Sequence, residues 1–275
     1  MTVVDQMLAR YSDDDASQNL ALREVMQEIA LAGLYRGGFF DKAAFYGGTC
    51  LRVFYGLPRF SEDLDFSLLK TDSEFSLEPY FRGIRDEFSA FGFEVTLSVK
   101  EKSIRSEVES AFLKKTSSLY DLNISGRKNV KIKFEVDKDP PLGFATEERL
   151  LIQPYSFYTK CFALPDLFAG KMHALLFRQW KNRIKGRDWF DFEWYVRQGV
   201  PLGLKHFAER GVQSGDITER SLSSRDFQAL LHERIDSLDI RSARQDVVRF
   251  IPEPKAVDIW SRDYFHQIAD RIRFA

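Results

Sequence analysis

Two aspartates, Asp63 and Asp65, stand two residues apart in Arg59-Phe60-Ser61-Glu62-Asp63-Leu64-Asp65-Phe66-Ser67. Leu64, Phe66 and Leu68 alternate with Asp63, Asp65 and Ser67, the period of a strand with one apolar face. On such a strand both carboxylates project from the same side, within reach of one or two hard cations. Mg2+ or Mn2+ takes oxygen ligands and keeps positions for substrate phosphates and water, so the pair suits metal-assisted phosphate chemistry. A second motif precedes it in Phe45-Tyr46-Gly47-Gly48-Thr49. Gly47 and Gly48 let the backbone approach a phosphate closely. Thr49 brings a hydroxyl to the start of a helix, where unpaired amides and the dipole attract anions. Each motif alone is an ordinary turn or a polar strand face; their order and spacing together point to a nucleoside triphosphate (NTP) and its metal ions.

The surrounding pattern must hold these groups in place. Leu20, Leu22, Val25, Met26, Ile29 and Leu34 recur at helical spacing over residues 16 to 36, and Gly37-Gly38 ends the run. Residues 43 to 46 form a short apolar strand, 49 to 55 a helix closed by Gly56-Leu57-Pro58, and 60 to 69 the carboxylate strand. A helix is expected over 77 to 90, then strands over 93 to 99 and near 106 to 116. Ile132, Phe134 and Val136 alternate with Lys133, Glu135 and Asp137 in a strand over 130 to 138, which Pro140-Pro141 breaks. One more strand fits 150 to 160. From Pro165 onward the pattern is helical, with helices over 165 to 182, 187 to 198, 224 to 235 and 257 to 272. The expected fold is α+β. A mixed β-sheet lobe with flanking helices, including the N-terminal helix, occupies residues 1–160, and an α-helical lobe over 161–275 completes the active-site cleft.

Composition narrows the setting. The chain has 275 residues with 44% hydrophobic content, enough for a sizeable core. The 25 phenylalanines fit aromatic packing in that core. With 40 basic against 41 acidic residues, the net charge of -1 argues against a surface that grips nucleic acid all over, so any such contact is local. Cys50 and Cys161 are not spaced as a metal knuckle, and His173, His206, His232 and His266 are scattered, which speaks against structural zinc. No apolar run reaches the roughly 20 residues of a membrane span, and the N-terminal region with Asp13-Asp14-Asp15 is unlike a signal peptide. A cytoplasmic protein with no membrane partner is the expectation.

At these residues the sequence resembles the nucleotidyltransferase superfamily that includes DNA polymerase beta. More narrowly, Gly47-Gly48-Thr49-Cys50-Leu51-Arg52 with Arg59 to Ser67 is similar to the AbiEii/AbiGii toxin family of bacterial nucleotidyltransferases. The resemblance continues through Leu164 to Trp194 and covers most of residues 40 to 195. It implies a third carboxylate on a neighbouring strand, which Phe134-Glu135-Val136-Asp137 would supply. Glu135 is favoured because it lies mid-strand between apolar residues, with Asp137 as the substitute. The implied metal ligands are therefore Asp63, Asp65 and Glu135, and the implied cofactor is Mg2+ or Mn2+.

A cationic run, Lys171, Arg178, Lys181, Arg183, Lys185 and Arg187, stops at Asp188. Such a run is ordinarily a solvated face, and acids such as Asp188 and Asp191 in a helix's first turn stabilise its dipole without further duty. The resemblance adds more. The Ala-Gly-Lys-Met segment would place Lys171 on phosphate, and Lys-Gly-Arg-Asp-x-x-Asp would make Asp188 part of the active site. It extends the nucleotide-binding set from Gly47, Gly48, Thr49 and Lys171 to Arg52 and Asp191. His173 faces away from Lys171 and is expected to pack rather than act as a base. The implied activity is metal-dependent transfer of a nucleoside monophosphate to an acceptor hydroxyl, RNA and in particular the acceptor end of tRNA. The implied role is a toxin of a toxin-antitoxin or phage-abortive-infection system, with a cognate antitoxin as a further partner. The local cations, with Arg127, Lys128, Lys131 and Lys133, could hold an RNA backbone. A small-molecule acceptor, or a silent nucleotide-binding or protein-interaction module on the same fold, remains the alternative.

Overall fold

The computed structural model describes residues 2–11, 15–99, 117–125, 129–178, 184–219 and 221–275. The chain divides into two compact units. The first comprises Met1–Gly56, Phe60–Leu142 and Thr146–Cys161, and the second Leu57–Arg59, Gly143–Ala145 and Phe162–Ala275.

The first unit runs α1 (Val3–Leu8), α2 (Asp15–Arg36), β1 (Ala43–Tyr46), α3 (Gly47–Tyr55), β2 (Asp63–Leu68), α4 (Phe81–Ala90), β3 (Glu94–Val99), β4 (Ser117–Ser125), β5 (Val130–Asp137), β6 (Thr146–Leu151) and β7 (Phe157–Phe162). Its strands form one seven-stranded mixed sheet in the order β3-β4-β5-β2-β1-β7-β6. β1 is antiparallel to β2, β2 is parallel to β5, and β3, β4 and β5 are successively antiparallel. The alternation in β2 and β5 sends Leu64, Phe66, Ile132, Phe134 and Val136 into the core, each fully buried. Phe66 sits at the centre of an aromatic cluster, with ring centroids 4.9 Å from Phe39, 5.1 Å from Phe45 and 6.3 Å from Phe134. Burial of such rings, each worth on the order of 2–3 kcal/mol, fixes which face of the sheet points inward. The other face of β2 and β5 is thereby left to the polar residues.

The second unit contains α5 (Leu164–Phe177), α6 (Gly186–Arg197), β8 (Pro201–Leu202), α7 (Leu204–Ser214), α8 (Ser224–Asp236), α9 (Ile240–Val247), α10 (Arg262–Ala269) and β9 (Arg273–Phe274). Phe168 of α5 stacks on Tyr195 of α6 at 4.3 Å, and Trp189, Phe192 and Trp260 gather around Phe265. Glu193, buried among them, accepts hydrogen bonds from Trp260 Nε1 and Tyr264 Oη, both at 2.7 Å.

Several boundaries differ from expectation. The helix expected over 257 to 272 is confined to α10, and the strand expected over 150 to 160 resolves into two, β6 and β7. The strand expected near 106 to 116 lies outside the described residues. β4, the neighbour β5 needs on that side, was not anticipated, nor was the parallel pair β8 and β9 in a region that reads as all helix. Among the described residues no helix is long and apolar enough to cross a membrane.

Candidate active site

The pairing of β2 with β5 decides which acids meet. Asp63 lies opposite Lys133, Asp65 opposite Glu135, and Ser67 opposite Asp137. Register partners on parallel strands point to the same side about 4.8 Å apart, so Asp65 and Glu135 are lateral neighbours with Asp63 one step along. All three are half-buried. Asp137 is displaced toward the strand end, beside buried Ser67, and accepts a hydrogen bond from the Asp139 amide at 3.2 Å.

The glycine turn closes on the same place. Tyr46, the last residue of β1, pairs with Asp65, and α3 begins at the next residue. Gly47 holds φ at 81°, and a Cβ there would collide with the Asp65 carboxylate. Only glycine allows both the left-handed backbone and this approach. The start of nine-residue α3, which has no side-chain cap, therefore lies beside Asp65 with its first amides available to an anion. Thr49 is fully buried and donates its hydroxyl to the Asp63 carbonyl at 2.5 Å, so it ties α3 to the start of β2. Arg52 bonds Glu24 through Nε at 2.8 Å and lies over the Phe60 ring at 4.7 Å.

Lys133, expected above as an RNA contact, stands on this same face. Its Nζ lies 3.1 Å from Glu135 Oε2. Burial would lower the pKa of this ammonium, but Glu135, Asp63 and Asp65 outweigh that and hold it above the ordinary lysine value. The signal was available, since Lys133 precedes Glu135 by two residues on one strand face. Lys131 instead pairs with Asp121 at 2.8 Å, while Arg127 and Lys128 lie outside the described residues.

The second unit builds its own charged chain. Lys171 Nζ on α5 lies 2.7 Å from Asp188 Oδ1 and 2.8 Å from Asp191 Oδ2, both on α6. Asp191 is fully buried and is gripped by Arg59, whose Nε and Nη2 each donate at 2.5 Å. Arg59 is itself 2% exposed. Burial alone would discharge Lys171, Arg59 and Asp188, but opposite charges override it. Asp188 and Asp191 raise the Lys171 pKa, Asp191 raises that of Arg59, and Lys171 lowers that of Asp188. Cation and carboxylate thus alternate along the chain Arg59, Asp191, Lys171 and Asp188. The structure brings Lys171, Asp188 and Asp191 together, and Arg59 joins them. Asp191 lies behind Lys171, with its carboxylate spent on two cations.

Around this chain Lys185, just before α6, is pushed down to about 8, first by burial and further by Arg178, Lys171 and Arg187 against the opposing pull of Asp188. Arg187 covers the Phe250 ring at 4.1 Å. Lys181 and Arg183 lie outside the described residues. His173 turns to Ser214 Oγ at 2.9 Å and Asp216 at 3.2 Å.

The donor set on β2 and β5 consists of carboxylate oxygens, the ligand type of Mg2+ or Mn2+ and not of a thiolate or imidazole metal. As placed, no group of three or more His, Cys, Asp or Glu among the described residues forms a ready metal cluster. The fit rests instead on Asp65 and Glu135 sharing a register position beside the glycine turn.

The chain matches the family model described as nucleotidyl transferase AbiEii toxin, type IV TA system, over residues 29–268. It is similar in structure to MenT4, a nucleotidyltransferase toxin from Mycobacterium tuberculosis H37Rv, with 16% identity, a TM-score of 0.53 and 99% of each chain covered. It is also similar to JHP933 from Helicobacter pylori, with 16% identity and a TM-score of 0.51, covering 94% of this chain and 92% of that one. At these identities the likeness shows the fold, the α+β arrangement expected above. No curated protein matches the chain in sequence.

Proposed function

The chain belongs to the AbiEii family of nucleotidyltransferase toxins, and from that premise we propose that it moves a nucleoside monophosphate from an NTP to an acceptor hydroxyl, using Asp63, Asp65 and Glu135 as ligands of Mg2+ or Mn2+. The acceptor oxygen forms a bond to the α-phosphorus, the bond from that phosphorus to the β-phosphate bridge breaks, pyrophosphate leaves, and the hydroxyl proton passes to solvent. When bound, the metal supplies Lewis-acid activation of the hydroxyl and charge neutralisation on the phosphates. Asp65 and Glu135 on adjacent strands, and Asp63 one step along β2, would hold it. The first amides of α3, with Gly47 giving close access, hold phosphate oxygens.

Thr49 acts by position, holding α3 to β2 through the Asp63 carbonyl. Lys171 contributes a fixed cation for an anionic substrate group, and Asp188 aims it. Asp191 acts through Lys171 and not by touching substrate, and Arg52, engaged with Glu24, supports the fold of α2 and α3. The observation that carries this reading is the register that sets Asp65 beside Glu135 with Gly47 against the Asp65 carboxylate. Asp63→Ala and Asp65→Ala should each abolish labelled-nucleotide transfer while the circular dichroism spectrum is retained. Undiminished transfer in both variants overturns the mechanism.

For the acceptor we favour RNA, in particular the acceptor end of tRNA, in keeping with a type IV toxin whose effect a cognate antitoxin would oppose. Arg178, Lys185 and Arg187 provide the local positive field that a near-neutral chain would need for this. An RNA acceptor predicts binding that weakens steeply with salt, by roughly one decade per decade of salt for each phosphate neutralised. Salt-independent turnover with a small hydroxyl compound in place of RNA would reverse that choice.

A further inference from the structure

We propose that Lys133 is a built-in counter-cation of the carboxylate face, competing with divalent metal for Asp63, Asp65 and Glu135 so that the site fills fully only when the metal arrives together with an NTP. The inference rests on the reading of those three acids as metal ligands.

Three carboxylates on one side of two adjacent strands repel one another when no cation lies among them. The strand positions cannot move apart without breaking the sheet, so a fixed positive charge is the available remedy. Lys133 is placed for that task twice over. Along β5 its ammonium reaches Glu135 Oε2 at 3.1 Å, and across the sheet it is the register partner of Asp63. The neighbouring acid on its other side, Asp121 of β4, is served by Lys131 at 2.8 Å, which leaves Lys133 to the catalytic face. The Lys133 side chain is 32% exposed, so its flexible four-carbon stem has room to turn aside when a metal arrives.

An ammonium and a divalent ion cannot share Glu135 without strong repulsion. The lysine therefore weakens binding of metal alone. Phosphate oxygens that accompany a metal-bound NTP offer the displaced ammonium a new partner, so the handicap falls when both arrive together. The consequence is a site that resists idle loading with free metal and responds to the metal nucleotide.

The test is Mn2+ binding without nucleotide, followed by electron paramagnetic resonance of free Mn2+, for the intact protein, Lys133→Met, Lys133→Gln and Lys133→Arg. Met and Gln remove the charge and keep much of the stem; Arg keeps the charge. The two neutral variants should bind Mn2+ about tenfold more tightly, as expected for loss of one adjacent like charge, and the arginine variant should resemble the wild type. Equal or weaker binding by both neutral variants overturns the inference. Adding Asp63→Asn to Lys133→Met separates the two layers. Loss of the tightened binding places the ion on these carboxylates. Binding indifferent to Asp63 overturns the metal-ligand reading itself, and the inference with it.

Discussion

At Gly47 the requirement is steric and can be tested with one methyl group. Gly47→Ala must adopt φ near 81° and push its Cβ into the Asp65 carboxylate. Left-handed backbone strain costs on the order of 1–3 kcal/mol, and displacing Asp65, here proposed as a metal ligand, would disturb alignment that is worth at least about a hundredfold in rate. Gly47→Ala should therefore lose transfer activity far more than stability, read by single-turnover transfer beside urea unfolding; equal activity would show that the approach is not needed. Lys185 offers a chemical test of its surroundings. With a pKa of about 8, about a quarter of its amine is free at pH 7.5, against roughly one in a thousand for an ordinary lysine. Limited acetylation at that pH, mapped by mass spectrometry, should label Lys185 at least about tenfold faster than exposed Lys42, Lys70 or Lys255. Uniform labelling would show that burial and the neighbouring cations do not depress its pKa. Neither residue's environment is legible from its neighbours in sequence. The glycine is visible, but the carboxylate it must clear lies on another strand.

Between elements, what decides the site is register, and register is where the sequence is silent. Alternation in β2 and β5 correctly put Asp63 and Asp65 on one face, and Glu135 and Asp137 on one face, because apolar period two is set by burial. It could not say that Asp65 meets Glu135 while Asp137 meets Ser67, since that depends on how far one strand slides along the other. β4 carries a signal in Tyr120, Leu122 and Ile124, masked by Asp121 and Asn123 between them, residue types depleted in strands. Strands as short as β8 and β9 have no period to detect. The α5 and α6 pairing shows the same division. Lys171, Asp188 and Asp191 could be singled out from sequence, whereas the partner of Asp191 could not, because Arg59 lies far from α6 in the chain. That partner implies a specific energetic pattern. Asp191→Asn leaves two buried cations, Arg59 and Lys171, short of charge and should cost about 3–5 kcal/mol. Arg59→Met with Asp191→Leu removes the pair together while Asp188 still serves Lys171, so the double variant should be more stable than Asp191→Asn alone. Urea unfolding monitored by tryptophan fluorescence checks both; a loss below about 1 kcal/mol for Asp191→Asn would mean that the pair is solvated.

For the molecule as a whole, the near balance of 40 basic and 41 acidic residues means that pH sensitivity near neutrality must come from a few buried groups and not from the overall field. Glu28 on α2 is the clearest. It is buried, and Arg10 bonds both its oxygens at 2.9 and 3.1 Å, while Glu24 nearby is shared by Tyr11 and Arg52. Burial pushes the Glu28 carboxyl up to about 7, with the pull of Arg10 outweighed and the charge of Glu24 adding to the rise. The sign follows from comparing states. In the unfolded chain Glu28 ionises near 4.5, so below that pH both states hold the proton and the contribution is fully present. As pH rises the unfolded state releases the proton first, and the contribution is lost through about pH 7. Glu28→Gln carries no titrating group and imitates the protonated form. Between pH 5 and 8 the wild type should therefore lose about 2 kcal/mol of unfolding free energy relative to Glu28→Gln. No tryptophan falls within the first unit, so the transition must be followed by far-ultraviolet circular dichroism. Two stability curves that stay parallel across that range would show that Arg10 holds Glu28 ionised throughout, and the clamp of the N-terminal segment on α2 would then be a plain ion pair.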